Sequence, residues 1–231
     1  MTAQRGSMLV RSFFSISLML LILQVGATLI SYPAVMTSAG GPALVYLSLF
    51  ALAMLLYGWV ALVRTRVATL HERIVVWQGM IWGLLCGGVW IIELMVANLL
   101  GPQFGWLNAV LYVGTTVGGY LLPGLAAVLA ARRTERIGAG IQAGLLCGMV
   151  GGIMIFLASA ALAPLLLAAG QHDPQTLHEF QRSGLPNVTT FIVGDYLAGM
   201  IAHLWIGLIT GLVLGTIGGA LGKVHAVLMC T

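Results

Sequence analysis

Long apolar stretches alternate with short polar breaks along this chain of 231 residues. A helix needs about 20 mostly apolar residues to cross the hydrocarbon core of a membrane. Six stretches reach that length, at 13–31, 42–63, 74–99, 106–131, 138–169 and 191–221. The pattern predicts an all-α, polytopic transmembrane helical bundle with six spans, forming a single integral membrane domain over 1–231. The fifth and sixth stretches are longer than one crossing, which predicts tilt or extension beyond the membrane.

The basic residues lie mostly on one side of the predicted spans. Nine of the ten are at the chain ends or in two of the connections: Arg5, Arg11, Arg64, Arg66, Arg73, Arg132, Arg133, Arg136 and Lys223. Only Arg182 falls on the opposite side. Because cytoplasmic loops carry the excess of Lys and Arg, this asymmetry predicts that the N-terminus and the C-terminus are both cytoplasmic, in the cell membrane.

The start of the chain also has features of a cleavable signal peptide. Two arginines precede an apolar run, and the small residues Val25, Gly26 and Ala27 follow it. The apolar run nevertheless continues through Leu29 and Ile30. It is therefore long enough to span, which favours a first helix that is retained.

The composition supports a membrane protein and excludes other classes. Hydrophobic residues make up 60% of the chain and charged residues only 7%, far below the share that a water-facing surface requires. The net charge of +4 does not predict nucleic-acid binding, because the basic residues form no single face or run. The three cysteines give no disulfide framework and are interpreted as small apolar residues. The lipid bilayer is the predicted partner.

Two short strings recur along the chain. The string Gly-Leu-Leu-Cys-Gly occurs at 83–87 and again at 144–148, and the fourth and sixth spans share a related Gly-Thr string. Both pairs have matching orientations, which is typical of parallel hairpin repeats in some transporters. The pattern therefore indicates a hairpin repeat over 74–131 and 138–221. The alternative is chance recurrence, because Gly and Leu are abundant here.

Glycines recur at four-residue intervals in three of the spans. They are Gly79, Gly83, Gly87, Gly140, Gly144, Gly148, Gly152, Gly199, Gly207, Gly211, Gly215 and Gly219. Small residues at this spacing form a shallow groove in which a neighbouring helix packs with close backbone contact. We therefore predict helix packing, within the chain or against a homo-oligomer or other membrane subunits. A glycine-lined pore is the alternative.

Three ionisable residues within the spans are candidates for an intramembrane polar site. Such residues are costly in a membrane and are functional candidates by default. Glu93 lies well inside the third span, Asp195 lies one turn inside the sixth, and His203 is two turns deeper. Glu93 is predicted to be a proton or cation site, or an anchor for a basic substrate group. The alternative is a structural hydrogen bond to a neighbouring helix.

The polar segment 170–190 is predicted to contain a short helix. Asp173 followed by Pro174 is typical of an N-cap and a first helical position. The segment is interpreted as a lid over a cavity or as an interfacial helix. The spacing of its histidines and carboxylates matches no strong metal-ligand pattern, so we predict no metal site.

Two resemblances to known families can be tested on the residues. The sequence Ala-His-Leu-Trp-Ile-Gly at 202–207 resembles the histidine-bearing last helix of rhomboid intramembrane proteases. That family requires a serine nucleophile on the fourth span, and 106–131 contains no serine, so a protease is not predicted. Six short-looped spans are similar in architecture to the substrate-capturing subunits of energy-coupling-factor vitamin transporters, a likeness at the level of fold.

Two functions remain open at this point. The first is a small-molecule or ion transporter, or its membrane subunit, that uses Glu93 with Asp195 or His203. The second is a non-catalytic structural or assembly protein that packs other helices through its glycines. An enzyme is less favoured, since no catalytic constellation is complete, and no cofactor is predicted.

Overall fold

Six membrane-length helices dominate the protein. The computed structural model describes residues 3–38, 41–64, 69–99, 105–185 and 187–228, and nearly all of these are helical. The predicted all-α fold with six helices long and apolar enough to span a membrane is confirmed for these ranges. The helices are numbered in chain order with the short ones included. The six long helices are α1 (Ala3–Ser31), α3 (Gly41–Arg64), α4 (Leu70–Leu99), α5 (Gly105–Thr134), α6 (Ile137–Ala161) and α9 (Val188–Leu228). Arg66 and the third cysteine, Cys230, lie outside the described residues.

The predicted fifth span is too long and requires a correction. It was expected to run over 138–169, but α6 ends at Ala161 and a separate helix, α7 (Ala163–His172), follows. Pro164 stands in the first turn of α7. Proline has no amide hydrogen for an intrahelical bond, so it interrupts a continuing helix and is well placed at the start of a new one. Hydropathy alone missed this break because the apolar residues continue across it.

The sixth span is longer than predicted. Helix α9 has 41 residues, from Val188 to Leu228, whereas 191–221 was expected. At 1.5 Å per residue it is about 60 Å long. A hydrocarbon core is about 30 Å thick, so α9 extends well beyond one crossing. The remaining short helices among the described residues are α2 (Ala34–Ser38) and α8 (Pro174–Ser183).

Four helices form the centre of the bundle, and α6 is the most deeply buried of them. Helix α6 packs against α4, α5 and α9, and α5 also packs against α4 and α9. Helices α1 and α3 pack against each other and contact this centre through α6 and α9. The Tyr57 hydroxyl of α3, for example, donates a hydrogen bond of 2.9 Å to the Leu204 carbonyl of α9.

Glycines bring the backbones of α6 and α9 together. A Cβ atom added at Gly140 or Gly144 would be 2.5 Å from the Cα atom of Gly219 or Gly215, respectively. At Gly148 it would overlap the carbonyl oxygen of Gly207. Residue numbers rise along one helix as they fall along the other, so α6 and α9 run antiparallel. The contact is made by backbone against backbone, as small residues permit.

The other predicted glycines differ in their surroundings. On α4, a Cβ added at Gly79 or Gly83 would be 2.6 Å from the Cβ atom of Leu146 or Val150 on α6. Eleven of the twelve glycines have another part of the chain within 4 Å of such an atom. The exception is Gly199, where an added Cβ would meet nothing else in the described part of the chain within 4 Å, so packing of this glycine against another subunit stays a prediction.

The two copies of the repeated string lie side by side. Helices α4 and α6 run parallel, because Gly79 lies against Leu146 and Gly83 against Val150. The Cys86 and Cys147 side chains, which belong to the two strings, contact each other in the buried interior. This neighbouring position is what a parallel repeat would produce. The duplication itself stays a prediction.

Candidate intramembrane polar site

Glu93 lies partly buried in α4, which packs against α5. Its Oε1 atom is 2.6 Å from the hydroxyl oxygen of Thr116 on α5. The same hydroxyl oxygen is 2.8 Å from the carbonyl oxygen of Tyr112, one turn earlier in α5. A threonine hydroxyl has one hydrogen to donate, so Thr116 donates to only one of these two acceptors at a time.

This geometry satisfies Glu93 in two protonation states. When the carboxylate is ionised, the Thr116 hydroxyl donates a hydrogen bond to it. When the carboxyl group is protonated, it donates to the Thr116 oxygen, and Thr116 donates to the Tyr112 carbonyl instead. Glu93 therefore keeps its partner when it gains or loses a proton. Such an arrangement suits a group that exchanges protons or cations.

Four further side chains that carry a hydrogen-bonding group precede Glu93 on α4, although Trp82, Cys86 and Trp90 also pack in a hydrophobic cluster. We call the five together the polar column: Gln78, Trp82, Cys86, Trp90 and Glu93. The spacing of three or four residues places them along one side of the helix. The Trp82 indole donates to the Gln78 side-chain oxygen at 2.8 Å, and the Cys86 thiol donates to the Gly119 carbonyl at 3.3 Å. Fifteen residues separate the ends of the column, which corresponds to about 22 Å along the axis. The column thus covers most of a membrane's hydrocarbon thickness.

Trp90 connects the column to α5 and α9. Its side chain is only 2% exposed. Its ring meets Tyr120 of α5 edge to face, with centroids 6.2 Å apart, and His203 of α9 in the same manner at 6.1 Å. Gly119 makes room for the indole, because a Cβ atom there would overlap the Trp90 Nε1 atom. Trp90 therefore packs α4, the helix that carries Glu93, against His203 of α9.

His203 has a defined hydrogen-bond partner on its own helix. Its Nδ1 atom is 2.7 Å from the carbonyl oxygen of Gly199, one turn earlier. A carbonyl oxygen only accepts, so the hydrogen lies on Nδ1, and Nε2 is the acceptor in the neutral ring. His203 is therefore held by α9 and by Trp90, and its hydrogen bond does not run to Glu93.

Asp195 lies apart from the other two candidates. It lines a groove of about 200 Å³ that also involves residues of α1, α2 and α3, and the groove is mostly apolar. Its side chain is exposed, and Glu179 on α8 is close enough to interact with it electrostatically. The three ionisable residues expected from the sequence are consequently not brought into one site. Glu93 and His203 flank Trp90, and Asp195 belongs to a separate groove.

The predicted capped helix in the polar segment is confirmed as α8. Asp173 is its N-cap: the Thr176 backbone amide and hydroxyl donate to Asp173 Oδ2 at 2.8 and 2.7 Å. These hydrogen bonds from Thr176 stabilise the carboxylate and lower the pKa of Asp173. The Phe180 ring packs on Phe191 of α9, with centroids 6.0 Å apart. Within the described ranges, no three His, Cys, Asp or Glu side chains are grouped closely enough to hold a metal ion.

Replacing Asp173 with alanine should loosen α8, because the first-turn amide of Thr176 loses its acceptor. A lost N-cap costs about 1 kcal/mol, so cleavage by trypsin after Arg182 should become about fivefold faster at neutral pH. The rate would be measured on the detergent-solubilised protein by mass spectrometry of the fragments. Asp173→Asn, which retains a capping oxygen, is the matched control and should be cleaved like the wild type. Equal rates for the alanine variant would contradict the capping role.

A mostly apolar cavity with several hydroxyl groups in its wall lies at the end of the bundle where α7 begins. It has a volume of about 350 Å³. Its polar lining consists of Gln24, Thr28, Ser31, Tyr32, Ser159 and Tyr196. The Tyr196 hydroxyl is 3.1 Å from the Leu166 carbonyl oxygen and 3.3 Å from the side-chain oxygen of Asn98. Asn98 stands five residues after Glu93 in α4, so the cavity lies close to the end of the polar column.

Several residues of this site were missed by the sequence reasoning. Thr116, the partner of Glu93, belongs to a four-residue series on α5 that also contains Asn108, Tyr112 and Tyr120. That polar periodicity was a signal in the sequence and would have indicated the face of α5 that meets α4. The cavity residues have no such signal, because they come from helices distant in the chain.

Comparisons of this chain with protein-family models, with curated proteins and with solved structures give no match. The six apolar helices identify it as a multi-pass α-helical membrane protein.

Proposed function

We propose that this protein is a small-molecule or ion transporter, or the membrane subunit of one, with Glu93 at its functional centre. The observation that carries the proposal is the contact of Glu93 with Thr116 between two helices that are apolar enough to span a membrane. A carboxyl group within a membrane span is costly, and such groups mark ion or proton pathways in pumps and transporters. The Thr116 hydroxyl supports both protonation states of this carboxyl group, as a site that loads and unloads a cation requires.

The polar column and the cavity support the same function. The column continues from Glu93 to Gln78 along α4, and the cavity lies beyond Glu93 in the other direction. Together, the column and the cavity place polar groups along much of the length of the bundle. With both termini in the cytoplasm, as the arginine distribution predicts, the cavity would face the exterior of the cell membrane. A solute entering there would meet Tyr196 and Asn98 before Glu93.

The glycine spacing was the reason to consider a structural or assembly function, and packing within the chain offers another explanation for it. The glycines expected to dock other helices are occupied by this chain's own helices, as the contact of Gly144 with Gly215 shows. Packing within the chain accounts for the glycines of the α6 and α9 stripes except Gly199. We therefore do not propose a docking function for these glycines.

The test is transport by the purified protein in liposomes. Proton entry would be followed with an internal pH-sensitive dye, and sodium entry with a sodium-sensitive dye, each driven by a potassium diffusion potential. The wild type should carry at least one of the two cations faster than protein-free liposomes. Glu93→Gln preserves the shape of the side chain but cannot ionise, so it should lower that flux at least tenfold.

Glu135→Gln provides the matched control, since it removes one exposed carboxylate in the turn between α5 and α6. This variant should transport like the wild type, and size-exclusion profiles would establish that all three proteins are folded. Wild-type flux of neither cation, or full flux in Glu93→Gln, would contradict the proposal.

A further inference from the structure

A groove of about 450 Å³ runs between α1 and α3, the two helices outside the central bundle. Its walls are mostly apolar, and several wall residues are exposed on the outer surface: Met19 (55%), Ile22 (54%), Leu23 (58%) and Leu62 (65%). Gly58 leaves the groove open, because a Cβ atom there would meet nothing within 4 Å. In a membrane, this surface faces lipid.

One end of the groove carries Arg11, the charged residue among the described residues that line it. The Arg11 guanidinium makes a long hydrogen bond of 3.4 Å to the carbonyl oxygen of Leu62. The bond accounts for one of the five guanidinium donors.

The Nε atom of Arg11 is buried and, within the described part of the chain, has no hydrogen-bond partner. Leaving a buried donor of a charged group unsatisfied is costly, more so than for a neutral donor. The structure also gives the guanidinium no ion pair with a carboxylate of the described residues. The positive charge of Arg11 at the end of an apolar groove is therefore not compensated by a carboxylate of the described residues. The Ser15 hydroxyl, one turn further along α1, lines the same groove.

The dimensions of the groove match one membrane leaflet. The lining residues of α1 extend from Arg11 to Leu23, twelve residues or about 18 Å along the helix axis. Half of a hydrocarbon core is about 15 Å thick. Arg11 therefore lies at the depth of a headgroup phosphate when Leu23 lies near the midplane. A soluble anion would satisfy Arg11 but would leave the apolar length of the groove unused.

We propose that the groove between α1 and α3 is a binding site for one anionic phospholipid. The phosphate accepts hydrogen bonds from the Arg11 guanidinium, and an acyl chain lies along the groove past Gly58. Arginine and phosphate form charge-assisted, frequently bidentate pairs, which are the stronger class of hydrogen bond. A lipid with net negative charge is favoured over a zwitterionic one, since the choline group of the latter would bring a second positive charge close to Arg11. The site is independent of Glu93 and of any transport.

The proposal can be tested by native mass spectrometry of the full-length protein released from detergent. Phosphatidylglycerol and phosphatidylcholine with identical acyl chains would be offered at equal concentration. The wild type should retain one phosphatidylglycerol with about tenfold preference over phosphatidylcholine. Arg11→Gln should abolish the preference. Gly58→Leu should lower the retention of phosphatidylglycerol about tenfold while Arg11 is intact, because the new side chain fills the groove.

Arg73→Gln is the matched control, since it removes an equal charge from an exposed position in the first turn of α4. Its lipid preference should equal that of the wild type. Equal retention of the two lipids by the wild type would overturn the proposal, as would an unchanged preference in Arg11→Gln. Wild-type retention in Gly58→Leu would place the lipid elsewhere. A dimer that excludes lipid, and that Gly58→Leu dissociates, would assign the groove to a second copy of the chain instead.

Discussion

Replacing Gly148 with alanine should destabilise the bundle by about 3 kcal/mol, the upper end of the usual cost of overpacking. The added methyl group would overlap the carbonyl oxygen of Gly207 on α9. The obstacle is backbone, which cannot rotate away as a side chain does. Helix α6 also has little room to move away from α9, because its Leu146 and Val150 side chains already lie against Gly79 and Gly83 of α4. The strain must therefore separate α6 from α9.

The matched control is Gly199→Ala, which adds the same methyl group in α9 where it would meet no other part of the chain. Its stability should differ from that of the wild type by less than about 0.5 kcal/mol. Unfolding would be followed by titration with a denaturing detergent, with circular dichroism as the readout. Equal stability of the two variants would refute close backbone packing at Gly148.

Replacing Trp90 with alanine should cost about 3–5 kcal/mol, which is typical of removing a large buried aromatic side chain. Trp90 is 2% exposed and packs between Tyr120 of α5 and His203 of α9. Its removal leaves a cavity at the point where three helices meet. The rings of Tyr120 and His203 also lose their edge-to-face partner. Such a contact contributes to stability beyond the burial of apolar surface.

Trp77→Ala is the comparison, because Trp77 lies on the same helix but is 63% exposed. This variant should lose less than about 1 kcal/mol, since no interior contact is removed. Both proteins would be measured by the same detergent titration. An equal loss of stability in Trp77→Ala and Trp90→Ala would contradict the packing of Trp90 between α5 and α9.

Some features followed from short stretches of sequence alone. The six spans could be predicted because a helix enters a membrane when its own residues are apolar enough, a sum over about 20 neighbours. The start of α8 could be predicted because Asp173 accepts hydrogen bonds from Thr176, three residues away. The end of α6 was missed although Pro164 was visible, because hydropathy does not register a lost backbone donor.

The candidate site was predicted only in part. Glu93 could be recognised because an ionisable residue in a span is rare and costly, whatever surrounds it. Its partner Thr116 lies 23 residues away on another helix and becomes a partner only when α4 and α5 pack. Asp195 and His203 were both candidates along the chain, but packing places His203 beside Trp90 and leaves Asp195 in a separate groove.

The sequence by itself determined that six helices are long and apolar enough to span a membrane, where α8 begins, and which few residues within those helices are ionisable. Only the tertiary structure decided which surfaces meet: Gly148 against Gly207, Cys86 against Cys147, and Gly199 against nothing. The reason is that insertion and capping are sums of local contributions. The rotation and crossing of each helix depend instead on the shapes of all its neighbours at once. The same glycine spacing therefore produced a tight backbone contact in α6 and an open position at Gly199 in α9.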